Sequence, residues 1–143
     1  MPLDDVRTRL VNEIHLRGYD DKYIDRNEER EILQIAIQLG VAVETARTDL
    51  AAVCTAEGYI QETAVVRAMS DQLAAMVGKS GRVDRGAFER VLADAVRRVQ
   101  GKKTDREVKK MLVTVMEDTG QNRVKAGWFR NWYKAVKREV GVA

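Results

Sequence analysis

Residues 84–101 read DRGAFERVLADAVRRVQG, and this stretch decides the fold class. Phe88, Val91, Leu92, Ala95, Val96 and Val99 recur at intervals of three and four, the period of one apolar face on an α-helix. Gly101 ends the run where a left-handed residue would close a helix. The same arrangement repeats in both directions. Upstream, helices are predicted over about 4–17 (Leu3, Val6, Leu10, Ile14, then Gly18), 26–39 (Ile32, Ile35, Ala36, Leu39, widened by Leu33 and Ile37 until the helix reads as largely buried, then Gly40), 43–56 (Val43, Ala46, Leu50, Val53, then Gly58) and 62–77 (Val66, Met69, Leu73, Met76, then Gly78). Downstream, one covers about 105–117 (Val108, Met111, Leu112, Val115, Met116, then Gly120), opened by Thr104 and Glu107 at capping-box spacing. A last one covers about 125–139, with Trp128, Phe129, Trp132, Tyr133 and Val136 before Gly141. No alternating run is long enough for a sheet. The expected fold is all-α: one domain over 1–143, a bundle of about seven helices in two helical-hairpin pairs that share the fourth helix.

Charge divides the chain. Cut after Asp71, residues 1–71 carry 14 acids and 8 bases, net −6, and residues 72–143 carry 8 acids and 17 bases, net +9. Either the halves attract each other or the basic half meets an acidic partner, nucleic acid or an anionic protein surface. Its densest cations are Arg97, Arg98, Lys102, Lys103, Arg106, Lys109 and Lys110 around the turn between the fifth and sixth helices, a set that supplies electrostatics without base readout. In the seventh helix Arg130, Lys134, Lys137 and Arg138 lie beside the aromatics, whose spacing suits a core; stacking on bases is the competing reading.

Catalytic chemistry finds no foothold. His15 is the single histidine and has no partner motif, Cys54 sits among Ala51, Ala52 and Val53 as a small buried thiol would, and Glu28, Glu29 and Glu31 show no spacing that separates an acid from a base. Gly78-Lys79-Ser80-Gly81 lacks the upstream glycine and strand of a phosphate loop and reads as an interhelical turn. A lone cysteine cannot close an intramolecular disulfide, no cleavable leader precedes the first amphipathic segment, and no 18 apolar residues run together; these point to a reducing cytoplasm and no membrane span.

A short apolar residue recurs ahead of four helices: Ile24, Ile60, Val83 and Val124, spaced 36 residues within the first pair and 41 within the second. This rhythm is similar to that of paired EF-hands, in which a central residue of each loop bridges to its mate. The calcium chemistry is missing, since the ligand places counted from Ile24 hold Arg17, Tyr19, Asp21 and Glu28, and those counted from Ile60 hold Val53, Thr55, Glu57 and Ala64.

Asp21-Lys22-Tyr23-Ile24-Asp25-Arg26-Asn27-Glu28, followed by Ile32, Ala36 and Leu39-Gly40-Val41, more closely resembles the tellurite-resistance TerB-like family, whose helical domains carry Asp-Gly-x-Ile-Asp-x-x-Glu before a helix closing with Leu-Gly-Leu/Val. Lys22 departs from that pattern by replacing the glycine. The match spans about 20 of 143 residues. The resemblance implies a helical module of stress or membrane-linked complexes, with Asp21, Asp25 and Glu28 as a divalent-metal cluster. Asp25 and Glu28 equally have the spacing of an N-cap and its reciprocal carboxylate.

Residues 39–50, Leu-Gly-Val-Ala-Val-Glu-Thr-Ala-Arg-Thr-Asp-Leu, look like the turn and recognition helix of DeoR-type helix-turn-helix regulators, with Gly58-Tyr59-Ile60 where a wing would start. Glu44, Thr45, Arg47 and Thr48 would then face the major groove. Against this, the half that holds them is net acidic, whereas phosphate needs cations. The leading expectation is therefore a non-catalytic helical interaction module without a cofactor, whose partner is another protein and which is compatible with homo-oligomers; a DNA-binding regulator using residues 39–60 is the alternative.

Overall fold

The computed structural model describes residues 3–125 and 131–142, with side chains from residue 5 onward. Its elements run α1 (Leu3–Gly18), β1 (Tyr23–Ile24), α2 (Arg26–Gln38), α3 (Val43–Glu57), β2 (Ile60–Gln61), α4 (Glu62–Met76), a short 3-10 turn (Gly78–Ser80), α5 (Arg85–Val99), α6 (Asp105–Thr119) and α7 (Trp132–Val140). The fold is all-α, with seven helices and two two-residue strands among the described residues. The first six helices begin and end within two residues of where periodicity and glycines put them. α7 starts at Trp132 rather than at 125, and Trp128, Phe129 and Arg130 lie outside the described residues.

Side-chain caps set the helix starts. Asp25 accepts from the Glu28 N–H at 2.8 Å while Glu28 accepts from the Asp25 N–H at 3.1 Å, a complete capping box on α2. Asp84 caps α5 through the Ala87 N–H, Thr104 caps α6 through the Glu107 N–H and Asn131 caps α7 through the Lys134 N–H. At the other ends, Gly40, Gly58, Gly78, Gly101, Gly120 and Gly141 all have positive φ. Gly18 is the exception, still helical, and its need for glycine is steric: the Tyr59 ring lies where a Cβ would stand.

The chain divides into two compact units, Met1–Thr63 and Ala64–Ala143, where one domain is expected from sequence. The division falls just inside α4, earlier than the charge boundary drawn at Asp71, and preserves the asymmetry: 13 acids and 7 bases, net −6, against 9 acids and 18 bases, net +9. In the first unit, Val6, Leu10 and Ile14 of α1 bury against Ile32 and Ala36 of α2 and Ala46, Leu50 and Cys54 of α3, with Ile24 and Tyr59 closing the core. In the second, Phe88, Val91, Ala95 and Val99 of α5 are buried, as are Val108, Leu112, Val113, Val115 and Met116 of α6 and Trp132, Tyr133 and Val140 of α7.

Three faces differ from expectation. Ile37 is 57 % exposed, so α2 buries one stripe rather than most of its circumference. On α4 the buried apolar residues are Val65, Met69 and Leu73, spaced by four, and Val66 and Met76 lie off that line. Val113, adjacent to Leu112, widens the α6 stripe.

The segments around the recurring apolar residues pair, the first of them off the expected register. β1 and β2 form a two-stranded ladder, with Tyr23 opposite Ile60 and Ile24 opposite Gln61, one residue out of the Ile24–Ile60 register. Val83 and Val124 bridge directly. Both pairings are parallel, whereas two loops related by a local two-fold axis would run antiparallel. A parallel pair needs a long crossover, supplied in the first unit by α2 and α3, so each strand leads directly into a helix, α2 or α4.

Candidate functional site

The acidic cluster is held by backbone rather than poised for a cation. Asp21 Oδ1 accepts from the Tyr23 N–H at 3.0 Å, and Asp25 and Glu28 are the two halves of the capping box. Among the described residues no group of three or more His, Cys, Asp or Glu side chains is arranged to hold a metal, Asp21, Asp25 and Glu28 included. Burial, together with the charges of Asp25 and Asp21, raises the Glu28 carboxyl above its ordinary range even against the Asp25 N–H that lowers it. Lys22 has φ +58, so the position where the TerB-like pattern carries glycine is left-handed here.

A polar seam, buried at Tyr23 and Glu62 and half-buried at Glu29, Gln61 and Thr63, runs beside the ladder. Tyr23 donates its hydroxyl to Glu62 Oε2 at 2.6 Å, with both residues buried, and Glu29 accepts from Gln61 Nε2 at 2.6 Å and from the Thr63 hydroxyl. Burial and the neighbouring carboxylate push the Tyr23 hydroxyl well above the usual phenol range, so it stays a donor. Every buried side-chain polar atom among the described residues has a partner. His15 is half-buried, with Nδ1 3.4 Å from the Tyr59 hydroxyl and its ring edge-on to the Tyr59 ring. Cys54 is buried and its thiol is pushed up to about 11, first by burial and then by Glu29, which leaves it unreactive near neutral pH.

α3 exposes Glu44, Thr45, Arg47 and Thr48, as a recognition helix would. The wing expected at Gly58-Tyr59-Ile60 is replaced by something else: Tyr59 is buried, Ile60–Gln61 pairs with β1, and α4 starts at Glu62. Between α1 and α3 a groove of about 530 Å³ is lined by Arg7, Thr8, Val11, Asp49, Ala52 and Val53, where the Arg7 guanidinium meets Asp49 through two bonds of 2.7 and 3.2 Å.

Of the cations around the α5–α6 turn, Arg97, Arg98, Lys102, Arg106 and Lys110 are exposed, and Lys103 and Lys109 are half-buried. They are not one uniform patch. Arg97 and Arg98 both close on Asp94, at 2.8 and 2.6 Å, and Arg98 first, then Gln72, hold that carboxyl below the usual carboxylate range. Arg106 donates to the Glu139 carbonyl at 3.3 Å and Lys109 to the Glu139 carboxylate at 3.1 Å, fastening α6 to the end of α7. Lys102 and Lys110 remain the outward charges at the α5–α6 turn with no carboxylate within ion-pair distance among the described residues.

Beside these cations a groove of about 480 Å³ has Leu92, Ala93 and Val96 of α5 as its apolar wall. Arg106, Lys109, Glu89, Asp105 and Glu139 form its rim. The aromatics of α7 are core: Trp132 packs on Phe88 at 5.2 Å and donates Nε1–H to the Lys125 carbonyl, and Tyr133 donates to Glu117 at 2.9 Å. Stacking on bases is thereby closed to Trp132 and Tyr133.

No helix among the described residues is long and apolar enough to cross a membrane. Compared with known proteins, the chain matches no family model, no curated protein and no solved structure.

Proposed function

We propose that this chain is a non-catalytic helical interaction module whose second unit receives an acidic protein surface at the α5–α6 turn. The observation that carries this reading is the segregation of charge into two compact units of net −6 and +9, with Lys102 and Lys110 left outward at the α5–α6 turn and an apolar-walled groove lined from α5 and α6. Charge of that kind steers encounter and sets partner choice, while the apolar wall supplies the area that holds a complex together. The reducing-cytoplasm expectation and the TerB-like association with stress complexes belong to the same proposal; left-handed Lys22 at the motif's glycine position supports the TerB-like part.

The alternative, a DNA-binding regulator, is favoured by the exposure of Arg47 and its neighbours on α3. Binding of labelled poly-glutamate and of a mixed-sequence duplex, read by fluorescence anisotropy at about 50 mM salt, separates the two, since electrostatic contacts are strong at low ionic strength. The module predicts poly-glutamate binding weakened about tenfold by Lys102→Glu with Lys110→Glu, corresponding to about 1.4 kcal/mol. Sequence-selective duplex binding abolished by Arg47→Ala would install the regulator instead, and no poly-glutamate binding by the native chain would refute the module.

A further inference from the structure

We infer that the chain associates head to tail with further copies of itself, an apolar knob at the end of α1 in one copy seating in the α5–α6 groove of the next. This rests on the reading that the second unit receives an acidic surface, and names that surface as the first unit of a second copy. Leu16 and Tyr19 are each 74 % exposed, the most exposed large apolar side chains among the described residues. Leu16 is in the last turn of α1 and Tyr19 is the first residue past its end at Gly18, with exposed Asp20 and Asp21 directly after them. Single exposed apolar residues are ordinary. An aliphatic and an aromatic side chain exposed together at one helix end are different, because such anchors dominate binding when they enter a pocket.

The groove offers what that pair lacks. Leu92 and Val96 are half-buried and Ala93 is exposed, so an apolar wall stands open. On its rim Arg106 is exposed and can meet Asp20 or Asp21, while two of its anions are already paired, Glu89 with Arg85 and Glu139 with Lys109. At longer range a unit of −6 approaches a unit of +9, which raises the encounter rate and makes it depend on salt. Knob and groove are different surfaces, so the contact is heterologous. Each association leaves one knob and one groove unused, so further copies can add until a ring closes or an open chain grows.

Sedimentation velocity from about 10 to about 500 µM, the range where small transient interfaces form, tests this with three proteins. The native chain is expected to gain mass with concentration, and to lose that gain when salt is raised to about 500 mM, where screening is short-ranged. A knob variant, Leu16→Ser with Tyr19→Ser, and a groove variant, Ala93→Glu, each alter only exposed positions and are each expected to stay monomeric. Mixed together they are expected to form a two-chain complex and nothing larger, because the groove variant still has a knob and the knob variant still has a groove. A native chain that stays monomeric throughout, association that survives in both variants, or a mixture that does not associate would each overturn the inference. Poly-glutamate binding by the knob variant keeps the readings apart. If it binds poly-glutamate but the native chain does not self-associate, the partner named here is wrong and the module stands; if neither occurs, the module falls with it.

Discussion

Lys22 and Gln100 are the two non-glycine residues held at positive φ among the described residues, and Lys22 shows how one side chain can be both strained and useful. The left-handed region costs a residue with a Cβ about 1–2 kcal/mol. Lys22 recovers part of that by lying over the Tyr59 ring, 5.5 Å from its centroid, an exposed cation–π contact of about 0.5–1 kcal/mol. Lys22→Gly is therefore expected to leave stability unchanged or raise it by up to about 1 kcal/mol, and Lys22→Val to lower it, because a β-branched side chain tolerates this region least; urea titration of both variants checks the order. Asp25→Ala removes one acceptor of the capping box and is expected to cost about 1 kcal/mol in the same titration. The capping role of Asp25 and Glu28 was legible from their spacing alone. That Asp21 turns back onto the Tyr23 N–H was not, since its partner is set by the turn that Lys22 makes.

Among the elements, helix ends were legible because caps and glycines act within a few residues of themselves. Faces were less so. Val65 and Val66 are both apolar neighbours on α4, and one step rotates a helix by about 100°, so periodicity alone could not say which points inward. Met69→Ala, which empties a site 1 % exposed, is expected to cost about 2–5 kcal/mol, whereas Met76→Ala at 39 % exposure is expected to cost less than about 1 kcal/mol. Equal losses in thermal unfolding would show that the face is assigned wrongly. The cations of α5 and α6 were legible as a charge cluster. Which of them are fastened was not, because Lys109 finds its carboxylate 30 residues away on α7.

For the molecule as a whole, the second unit carries its pH dependence in two carboxylates. Asp94 is lowered first by Arg98, and Glu117 first by Lys137, with Asn122 and Tyr133 adding to it. A carboxylate whose folded pKa lies below its unfolded value, about 4, contributes stability that is whole above that pH and lost as the pH falls through the folded value. Both pairs are partly solvated, with carboxylate side chains 23 and 26 % exposed, so each contributes about 1 kcal/mol or less. Thermal unfolding followed from neutral pH down to about pH 3, across the ordinary carboxylate range, is expected to lose stability below about pH 4 in the native chain and less steeply in Asp94→Asn with Glu117→Gln. Tyr133 does not enter this window, since burial and Glu117 raise its hydroxyl far above it.

The parallel bridges carry one more consequence, which is about time. A bond from the Ile60 N–H to the Lys22 carbonyl, 2.8 Å long, helps tie a lariat around α2 and α3, and the bonds from the Val83 N–H to the Arg123 carbonyl and from the Lys125 N–H to the Val83 carbonyl tie the second. Closing loops of that length has an entropic cost that helix turns do not bear, so the knots can be drawn only after the helices inside them stand. In pulsed hydrogen exchange during refolding, the amides of Ile60, Val83 and Lys125 should be among the last to go quiet.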